Sequence, residues 1–360
     1  MKQYICLSPS PWQAVPTRTQ QLMTRLRDAE VLFFEPPSPR GRGARDGGRR
    51  VRPGLTVYSL PPVLQVDERH GFLFSRGVNK TARFITAKMD RHRFREPILW
   101  TTCPDQVHLL DSLPFRGLVY DCDRYWSGFP LEWESDLALA ADVIFAASQG
   151  LIDHLSPCND NIALLPNGVN FPMFARQEVE LPGDLASIPR PILGWAGTVR
   201  RDLDLSPLLY AAQARPDWTF LLLGRREHNP FLRRLSRLPN VVLRPSCPLM
   251  EVPEHLAQCQ VLLNFLRDDQ PDCDVIPTRI YEYLSTGLPI VTMVWPDQVE
   301  PYPDVIYAAH SPQEFLTACQ HALEEIPSWT APRRRSHGAA GAWSVRAGEV
   351  SHILSVSGLL

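Results

Sequence analysis

The chain has 360 residues, of which 44% are hydrophobic and 21% charged, proportions typical of a soluble globular protein large enough for two domains. Its net charge of −2 argues against a general attraction to nucleic acid, and no apolar run is long enough to predict a transmembrane helix. Met1–Ser8 leads into an apolar run without the features of a signal peptide. Eight cysteines without a C-x-x-C pair favour reduced thiols, so we expect a cytoplasmic protein.

Short apolar runs, separated by helical patterns, recur along the whole chain. Such runs are typical of strands buried on both faces of a parallel sheet, and their alternation with helices predicts a doubly wound α/β architecture, built twice. The first half contains Tyr4–Leu7, Val31–Phe34, Leu55–Leu60, Ile98–Trp100, Leu118–Tyr120, Val143–Ala146 and Ile162–Leu165. The second half contains Ile192–Trp195, Phe220–Leu223, Val241–Leu243, Val261–Phe265, Ile290–Met293 and Val305–Ala308.

The join between the two predicted domains falls near Leu165–Phe174, where an Asn-Gly turn lies between prolines. Gln177–Pro191 follows without clear periodicity and is expected to be an exposed linker. The sequence thus predicts a first domain over 1–170, a second over 171–335 and a closing helix over 336–360.

Two basic segments lie outside the predicted strands. Arg40–Arg52 is rich in glycine and arginine and predicts a solvated loop, with binding of phosphate or anionic lipid as the alternative. The cluster Arg333–Arg335 precedes the predicted closing helix and suggests a peripheral contact with the inner membrane surface. That helix has apolar residues at helical spacing, which we expect to pack on the body of the protein: Trp343, Val350, Ile353 and Leu354.

Candidate phosphate-binding residues follow two strands of the second half. Gly197 allows a backbone to approach a ligand closely, and Thr198 with Arg200 can bind diphosphate oxygens. The run ending at Leu223 is again followed by a glycine and then by Arg225. Ligands of open α/β sheets bind outside the carboxyl ends of the strands, so we expect these residues at one binding edge.

The segment Asp274–Val291 predicts a helix that starts at Pro277 and ends at a glycine before a buried strand. Free N–H groups at such a helix start attract anions. With Thr278 and Arg279 in the first turn and Glu282 one turn further on, the segment suits a nucleotide diphosphate and its ribose. The alternative is an ordinary helix–turn–strand unit.

Several other classes of site are not supported by the sequence. Neither G-x-x-x-x-G-K-[ST] nor a G-x-G-x-x-G after the first strand is present, which argues against P-loop ATPases and nicotinamide enzymes. Ser148 lacks the neighbours of a hydrolase nucleophile and is predicted to cap a helix. The ten histidines lack H-x-x-x-H spacing, so no metal is expected.

In the first half, Asp121 and Asp123 follow a buried strand and are candidate catalytic residues. An acid at this edge can orient an acceptor hydroxyl or take its proton. Capping of the next helix is the alternative for both. Glu134, in the helix that follows, is expected on a solvated face.

Together, these motifs resemble the nucleotide-sugar-dependent glycosyltransferases of the GT-B fold, in which two Rossmann-like domains face a central cleft, and specifically glycosyltransferase family 4. Within it the chain is most similar to the branch concerned with teichuronic acid and other surface polysaccharides. The resemblance covers nearly the whole chain and is carried by Leu7–Trp12, Arg18–Met23, Gly117–Cys122, Leu164–Val169, Gly194–Thr198 and Tyr281–Leu284.

The resemblance implies a donor site in the second domain and an acceptor side in the first. Two acids eight positions apart line the donor site in this family, and Asp274 and Glu282 have that spacing, with Asp in place of the usual first Glu. Glu282 would bind the ribose hydroxyls, and Asp274 would lie near the donor sugar as a catalytic residue. The second half contains no Lys, so the diphosphate would be held by Arg200, Arg225 and Arg279.

The activity implied is transfer of a sugar from a nucleotide diphosphate to a surface glycan or lipid-linked acceptor, with retention and without a metal or other cofactor. Two alternatives stay open from the sequence: a nucleotide-sugar epimerase on the same scaffold, and a nucleotide-sugar-binding protein with weak or no catalysis. The second rests on the Asp at 274 and on the missing Lys.

Overall fold

The chain forms two compact units in a computed structural model. One unit comprises Met1–Pro166 together with Trp343–Leu360, and the other comprises Asn167–Ala342. The division lies close to the predicted join at 170/171, but the last helix returns to the first unit. The described residues are 1–13, 15–37, 48–64, 68–176, 183, 187–266, 274–293, 302 and 304–360.

The first unit is built on an eight-stranded sheet with the order β3-β4-β2-β1-β5-β6-β7-β8. Its strands are β1 (Lys2–Leu7), β2 (Ala29–Glu35), β3 (Arg49–Arg52), β4 (Leu55–Ser59), β5 (Ile98–Thr101), β6 (Gly117–Cys122), β7 (Val143–Ala146) and β8 (Ile162–Leu164). All neighbours pair in parallel except β3, which runs antiparallel to β4. The order turns back at β1, as in doubly wound folds.

The helices of this unit are α1 (Arg18–Arg25), α2 (Gly71–His92), α3 (Leu131–Ala140) and α4 (Gln149–Leu155), with 3₁₀ segments at Glu68–His70 and Pro104–Ser112. Ser148 caps α4, as predicted, because its hydroxyl accepts a hydrogen bond from the Leu151 N–H at 3.3 Å. Neither Asp121 nor Asp123 caps α3, whose N-cap is Pro130, so the capping alternative was wrong.

The second unit is built on a six-stranded sheet with the order β11-β10-β9-β12-β13-β14, and its described strands are all parallel. The strands are β9 (Ile192–Ala196), β10 (Thr219–Leu223), β11 (Val241–Arg244), β12 (Val261–Asn264), β13 (Ile290–Met293) and β14 (Tyr307–Ala309). The helices are α5 (Phe171–Phe174), α6 (Ser206–Ala214), α7 (Leu232–Leu235), α8 (Val252–Leu256), α9 (Thr278–Thr286), α10 (Pro312–Glu324) and α11 (Pro327–Ala340), with a 3₁₀ turn at Leu249–Glu251.

Two apolar clusters cover the two faces of this second sheet. Alternate residues of one strand enter different clusters: Leu262 packs in one, and its neighbours Val261 and Leu263 pack in the other. Burial on both faces explains why the strands appear in the sequence as continuous apolar runs. All thirteen predicted runs overlap a strand.

The chain returns to the first unit through α12 (Trp343–Val356). Trp343, Val350 and Leu354 are buried in that unit's core, with Ile353 packed beside them, which confirms the predicted apolar stripe. The preceding basic cluster is part of α11 and makes intramolecular contacts. Arg334 is 1% exposed and forms a two-pronged ion pair with Glu325 at 2.5 and 2.6 Å.

The other two arginines of that cluster are also held by the second unit. Arg335 donates to the Thr286 carbonyl at the end of α9, and Arg333 pairs with Asp304 at 2.8 Å. The predicted loop Arg40–Arg52 lies outside the described residues up to Asp46 and Gly47, whereas its end forms β3. Most of the predicted linker Gln177–Pro191 also lies outside them.

Candidate functional site

The order of the second sheet reverses between β9 and β12, where open α/β sheets form a crevice at the carboxyl ends of their strands. Two glycines lie at this edge. Gly197 follows β9 with φ of +156°, and Gly224 follows β10 with φ of +144°. A Cβ on Gly224 would collide with the Gly197 carbonyl oxygen, and one on Gly197 would collide with Arg279 Nη2. Only glycine fits both positions, so the two turns and Arg279 pack closely against one another at this edge.

Helix α9 begins beside these glycines without a side-chain cap, and the first N–H that is bonded within the helix is that of Ile280, to the Pro277 carbonyl at 2.9 Å. Pro277 is the N-cap and offers no side-chain hydrogen bond, and the first turn contains no acid. The helix therefore begins at Thr278, one residue later than predicted, within the usual variation of helix ends. The hydroxyl of Thr278 makes no hydrogen bond within the described part of the chain. The N–H groups at an uncapped helix start and the helix dipole make this end suitable for an anion.

Arg279 is held in place by three different groups. Its Nε donates to the Ala196 carbonyl at 2.7 Å, and its Nη1 donates to Asn264 Oδ1 at 3.2 Å. Its guanidinium also stacks on Trp195, 4.7 Å from the ring centroid. The Ala196 N–H also donates to the Tyr283 hydroxyl at 3.2 Å. The N–H and the carbonyl of Ala196 therefore both connect β9 to α9. Arg279 is thus a pre-positioned cation whose Nη2 lies over Gly197.

Asn264 is a site residue that the sequence reasoning missed. It ends β12, is 2% exposed, and donates to the Thr292 hydroxyl at 2.9 Å while accepting from Arg279. This chain of hydrogen bonds connects β13, β12 and the start of α9. The sequence could have indicated Asn264, because it is the one amide inside the apolar run Val261–Phe265. A buried amide needs hydrogen-bond partners.

Glu282 lies one turn after Arg279, on the same side of α9. Its carboxylate makes no hydrogen bond within the described residues. Although the side chain is still partly exposed, burial by the surrounding protein raises its pKa from 4.5 to about 7, and Arg279 lowers it only in part. A desolvated carboxylate without a partner has unused hydrogen-bond acceptors, and ribose hydroxyls could fill them.

Arg200 and Arg225, the other predicted diphosphate ligands, lie on the rim. The Arg200 side chain is 50% exposed and pairs with Asp202, while Arg225 is 72% exposed and pairs with Glu227. Thr198 follows Gly197 and is half-buried, and its hydroxyl makes no hydrogen bond within the described part. These three residues lie after the same two strand ends as the glycines, but neither exposed arginine is fixed as Arg279 is.

Asp274, predicted to lie near the donor sugar, is half-buried and is the first described residue of the segment that leads into α9. The residues before it lie outside the described part of the chain, so its surroundings do not test the predicted role. Asn167 Nδ2 donates to the carbonyl of Ile276 at 3.0 Å and fixes the approach to the helix.

In the first unit, Asp121 has a different environment from the one predicted. Its carboxylate is 1% exposed and accepts two hydrogen bonds from Arg18, at 2.9 and 3.0 Å. Burial raises the pKa of Asp121, and Arg18 opposes that rise. This geometry does not support a catalytic role, because no oxygen of Asp121 faces solvent.

Asp123 is the more accessible of the two candidate acids. Its side chain is 24% exposed, and both its oxygens accept from Arg124, at 2.7 and 3.0 Å. Glu134 is not on a solvated face as predicted. It is buried, accepts from the Tyr120 hydroxyl at 2.6 Å, and lies 3.0 Å from His154 Nε2. That arrangement fixes α3 and α4 against β6.

The first unit also contains an open groove of about 630 Å³ between α2, the 3₁₀ segment and α3. Its wall contains three rings in edge-to-face contact. The ring centroids of Phe74 and His108 are 4.8 Å apart, and those of His108 and Trp133 are 4.6 Å apart. Three carboxylates also line it, from Asp111, Glu132 and Asp136. Rings beside hydrogen-bond acceptors suit a polar ligand with apolar faces.

Comparison with known proteins gives matches in both sequence and structure. A family model described as glycosyl transferase-like matches residues 200–348. The chain is 26% identical over 338 residues to TuaH of Bacillus subtilis (strain 168), covering 85% of this chain and 84% of TuaH. TuaH is described, provisionally, as a teichuronic acid biosynthesis glycosyltransferase.

Among solved structures, sucrose-phosphate synthase from Thermosynechococcus elongatus superposes with a TM-score of 0.74 at 15% identity, covering 99% of this chain and 98% of that one. HepE of Anabaena, in complex with UDP, gives 0.71 at 13% identity, covering 99% and 100%. These likenesses show that the chain has the GT-B fold, as the resemblance predicted, and the sequence matches support a glycosyltransferase.

Proposed function

We propose that this glycosyltransferase takes its sugar from a nucleotide diphosphate bound at the start of α9, and that it belongs to family 4, in the surface-polysaccharide branch. The observation that carries the proposal is the combination of an uncapped helix start, a fixed Arg279 and an unbonded Glu282 at the reversal point of the second sheet. HepE, which shares the fold, was solved with UDP, and this supports a nucleoside diphosphate as ligand.

The diphosphate would lie between the start of α9 and Gly197. Backbone N–H groups of the first turn would donate to its oxygens, and Arg279 Nη2 would add a fixed positive charge. Thr278 and Thr198 would donate their free hydroxyls. Arg200 and Arg225 would approach from the rim, each giving up a carboxylate partner to do so.

The ribose would lie against Glu282. Three residues of α-helix advance about 4.5 Å along the axis, so Glu282 lies one turn beyond the phosphate-binding end on the same face. Two ribose hydroxyls would donate to its carboxylate. These hydrogen bonds would favour the charged form, which burial alone disfavours.

This arrangement suits the departure of a nucleoside diphosphate. Negative charge grows on the diphosphate as the bond to the sugar breaks, and fixed N–H groups and Arg279 stabilise that charge without having to reorient. Retention of configuration, independence from a metal and the role of Asp274 near the sugar are carried over from the family resemblance and remain part of the proposal.

The acceptor would bind to the first unit, near the groove lined by Phe74, His108 and Trp133. An aromatic face packs against the apolar C–H face of a sugar ring, and carboxylates accept hydrogen bonds from its hydroxyls. Asp123 would orient the reacting hydroxyl. The likeness to TuaH supports a surface glycan or a lipid-linked precursor of one as acceptor, and hence a cytoplasmic enzyme at the inner face of the membrane.

The predicted membrane contact through Arg333–Arg335 is left out of the proposal, because these arginines are bonded to the second unit. The epimerase and binding-only alternatives also lack a specific observation in their favour. A binding-only protein remains the outcome to exclude by experiment.

The test starts with calorimetric binding of UDP, GDP, ADP and dTDP, followed by measurement of nucleoside diphosphate release from the matching sugar donors with glycan acceptors. We expect one diphosphate to bind and its donor to be turned over only with an acceptor. Glu282→Gln should weaken that binding about 10- to 100-fold, since hydrogen bonds to a charged group are among the stronger ones.

Glu324→Gln is the matched control, because it makes the same change at an exposed position of α10 in the same unit. The affinity of this control for the preferred diphosphate should equal that of the wild type. Binding of no diphosphate at all would contradict the donor site, and binding without turnover for any donor–acceptor pair would favour a binding-only protein.

A further inference from the structure

The start of α2 carries an exposed apolar tip that the sugar-transfer chemistry does not use. Phe72 is 77% exposed and Leu73 is 39% exposed in the first turn of the helix. Leu64 and Val63, in the segment just before, are 70% and 36% exposed. Single exposed apolar residues are common, but four within one short stretch form a patch.

The preceding segment lies alongside the helix, which brings Val63 and Leu64 near the first turns that carry Phe72 and Leu73. Lys80 Nζ donates to the Pro62 carbonyl at 2.7 Å, and a Cβ built on Gly77 would lie 3.7 Å from Val63 Cβ. Leu73, Gly77 and Lys80 share one face of the helix at spacings of four and three. The segment 62–64 therefore runs next to the first turns of α2.

Positive charge lies directly beside this apolar tip. The helix carries five cations and a single acid, Asp90 near its far end, in a chain whose net charge is −2. Arg76 and Lys80 are exposed one and two turns after Phe72 and Leu73, and Arg83 follows on the same side. The combination of bulky apolar residues at one end and cations on the adjoining surface is that of helices that lie on anionic membranes.

We infer that the start of α2, with Val63 and Leu64 beside it, docks on the surface of an anionic lipid bilayer. Phe72 and Leu64 enter the acyl boundary, and Arg76 and Arg83 contact the phosphate groups. The apolar tip favours a bilayer over nucleic acid, because a phosphate backbone offers nothing for exposed Phe and Leu side chains to bury. Within the described residues no helix has the length and apolar character to cross a bilayer, so the contact is superficial.

Docking of this kind is separate from donor binding, and its failure leaves the proposed reaction intact. The experiment is co-sedimentation of the full chain, without donor or acceptor, with vesicles of phosphatidylcholine alone and of phosphatidylcholine mixed with phosphatidylglycerol. The wild type should bind the mixed vesicles and bind much more weakly to the neutral ones. Raising the salt concentration should weaken binding, because screening reduces the attraction.

Two variants test the location. Arg76→Gln with Arg83→Gln should weaken binding to the mixed vesicles about 20-fold, taking each cation near the surface as worth about a factor of five, and it leaves the Lys80–Pro62 hydrogen bond in place. Phe72→Ser should weaken it about tenfold without changing the net charge. All three positions are exposed, so the thermal unfolding temperature should stay that of the wild type.

The matched control is Arg233→Gln with Arg237→Gln, which removes the same charge from an exposed basic cluster of the second unit. We expect it to bind like the wild type. Equal loss in this control would overturn the assignment to α2, as would a wild type that binds neither vesicle. Self-association that Phe72→Ser abolishes, with no vesicle binding, would assign the patch to a second copy of the chain instead.

Discussion

Both units place a carboxylate and an arginine near the carboxyl ends of their strands, but the two pairs are built for different purposes. In the first unit, Arg18 donates two hydrogen bonds to Asp121, and both side chains are buried. In the second, Arg279 is fixed by a carbonyl, an amide and an indole ring, and the Glu282 carboxylate makes no hydrogen bond to any residue that the structure describes.

The difference separates a structural carboxylate from a ligand-binding one. In the pair of Asp121 and Arg18 the two opposite charges face each other inside the core, where a substrate does not reach them. Burial removes Glu282 from water and raises its pKa to about 7, while no described residue donates a hydrogen bond to its carboxylate. Asp121 lies in a strand and Glu282 on a helix, and the neighbours of each carboxylate determine which role it can have.

The largest expected effect on stability is at the buried ion pair of Arg18 and Asp121. Asp121→Ala should lower the free energy of unfolding by about 3–5 kcal/mol, because it leaves Arg18 buried without a counter-charge. Urea denaturation measures this. Asp123→Ala is the control and should cost no more than about 1 kcal/mol, since its pair with Arg124 is exposed. A small effect of Asp121→Ala would show that the pair does not hold the first unit together.

A smaller effect is expected at the network behind Arg279. Asn264→Ala should destabilise the protein by about 1–3 kcal/mol, because it removes a buried amide with two partners. It should also weaken nucleoside diphosphate binding several-fold by releasing Arg279. Thr292→Val removes the hydrogen bonds of its hydroxyl with Asn264 and with the Met293 carbonyl but keeps the one between Asn264 and Arg279, so it should cost stability while nucleoside diphosphate affinity stays unchanged. Equal affinity loss in both variants would argue against a positioning role for Asn264.

The Glu282 carboxylate should make the free energy of unfolding decrease as the pH rises. Since the pKa of Glu282 is raised on folding, protonation favours the folded state, and this contribution is fully present below pH 4.5 and lost as pH rises through about 7. Glu282→Gln should therefore be more stable than the wild type above pH 7, by about 1–2 kcal/mol. Urea denaturation across this range checks it, and a difference that does not grow with pH would contradict the desolvated state.

The smallest effects are expected on the rim. Arg200→Gln and Arg225→Gln should each change donor affinity within about twofold, because exposed charges that already have partners contribute little. Calorimetric titration of the preferred diphosphate measures this. A tenfold loss in either variant would move the main diphosphate contact from Arg279 to the rim.

Much of the fold was predictable because burial on both sheet faces makes strands into apolar runs such as Val143–Ala146 and Ile290–Met293. The end of α9 was also predictable, since Gly287 has φ of +81° and a Cβ would meet α11. Local signals of this kind depend on neighbours in the chain.

The remaining features depend on contacts between distant residues. Arg18 and Asp121 are 103 positions apart, and Arg279 reaches Ala196 across 83. No local pattern in the sequence predicts that Asp121 forms an ion pair with an arginine and that Glu282 does not. For the same reason the contacts of the basic cluster Arg333–Arg335 could not be predicted: its charge is visible in the sequence, but the pairing of Arg334 with Glu325 becomes apparent only in the folded chain.

The central claim is that Glu282 binds the ribose of the donor. The most direct measurement is calorimetric titration of the preferred nucleoside diphosphate and its 2′,3′-dideoxy analogue into the wild type and Glu282→Gln, which forms a double-mutant cycle with one chemical arm. The wild type should bind the analogue at least about tenfold more weakly, and Glu282→Gln should bind both ligands about equally. A Glu282→Gln variant that still discriminates between them as the wild type does would contradict the account.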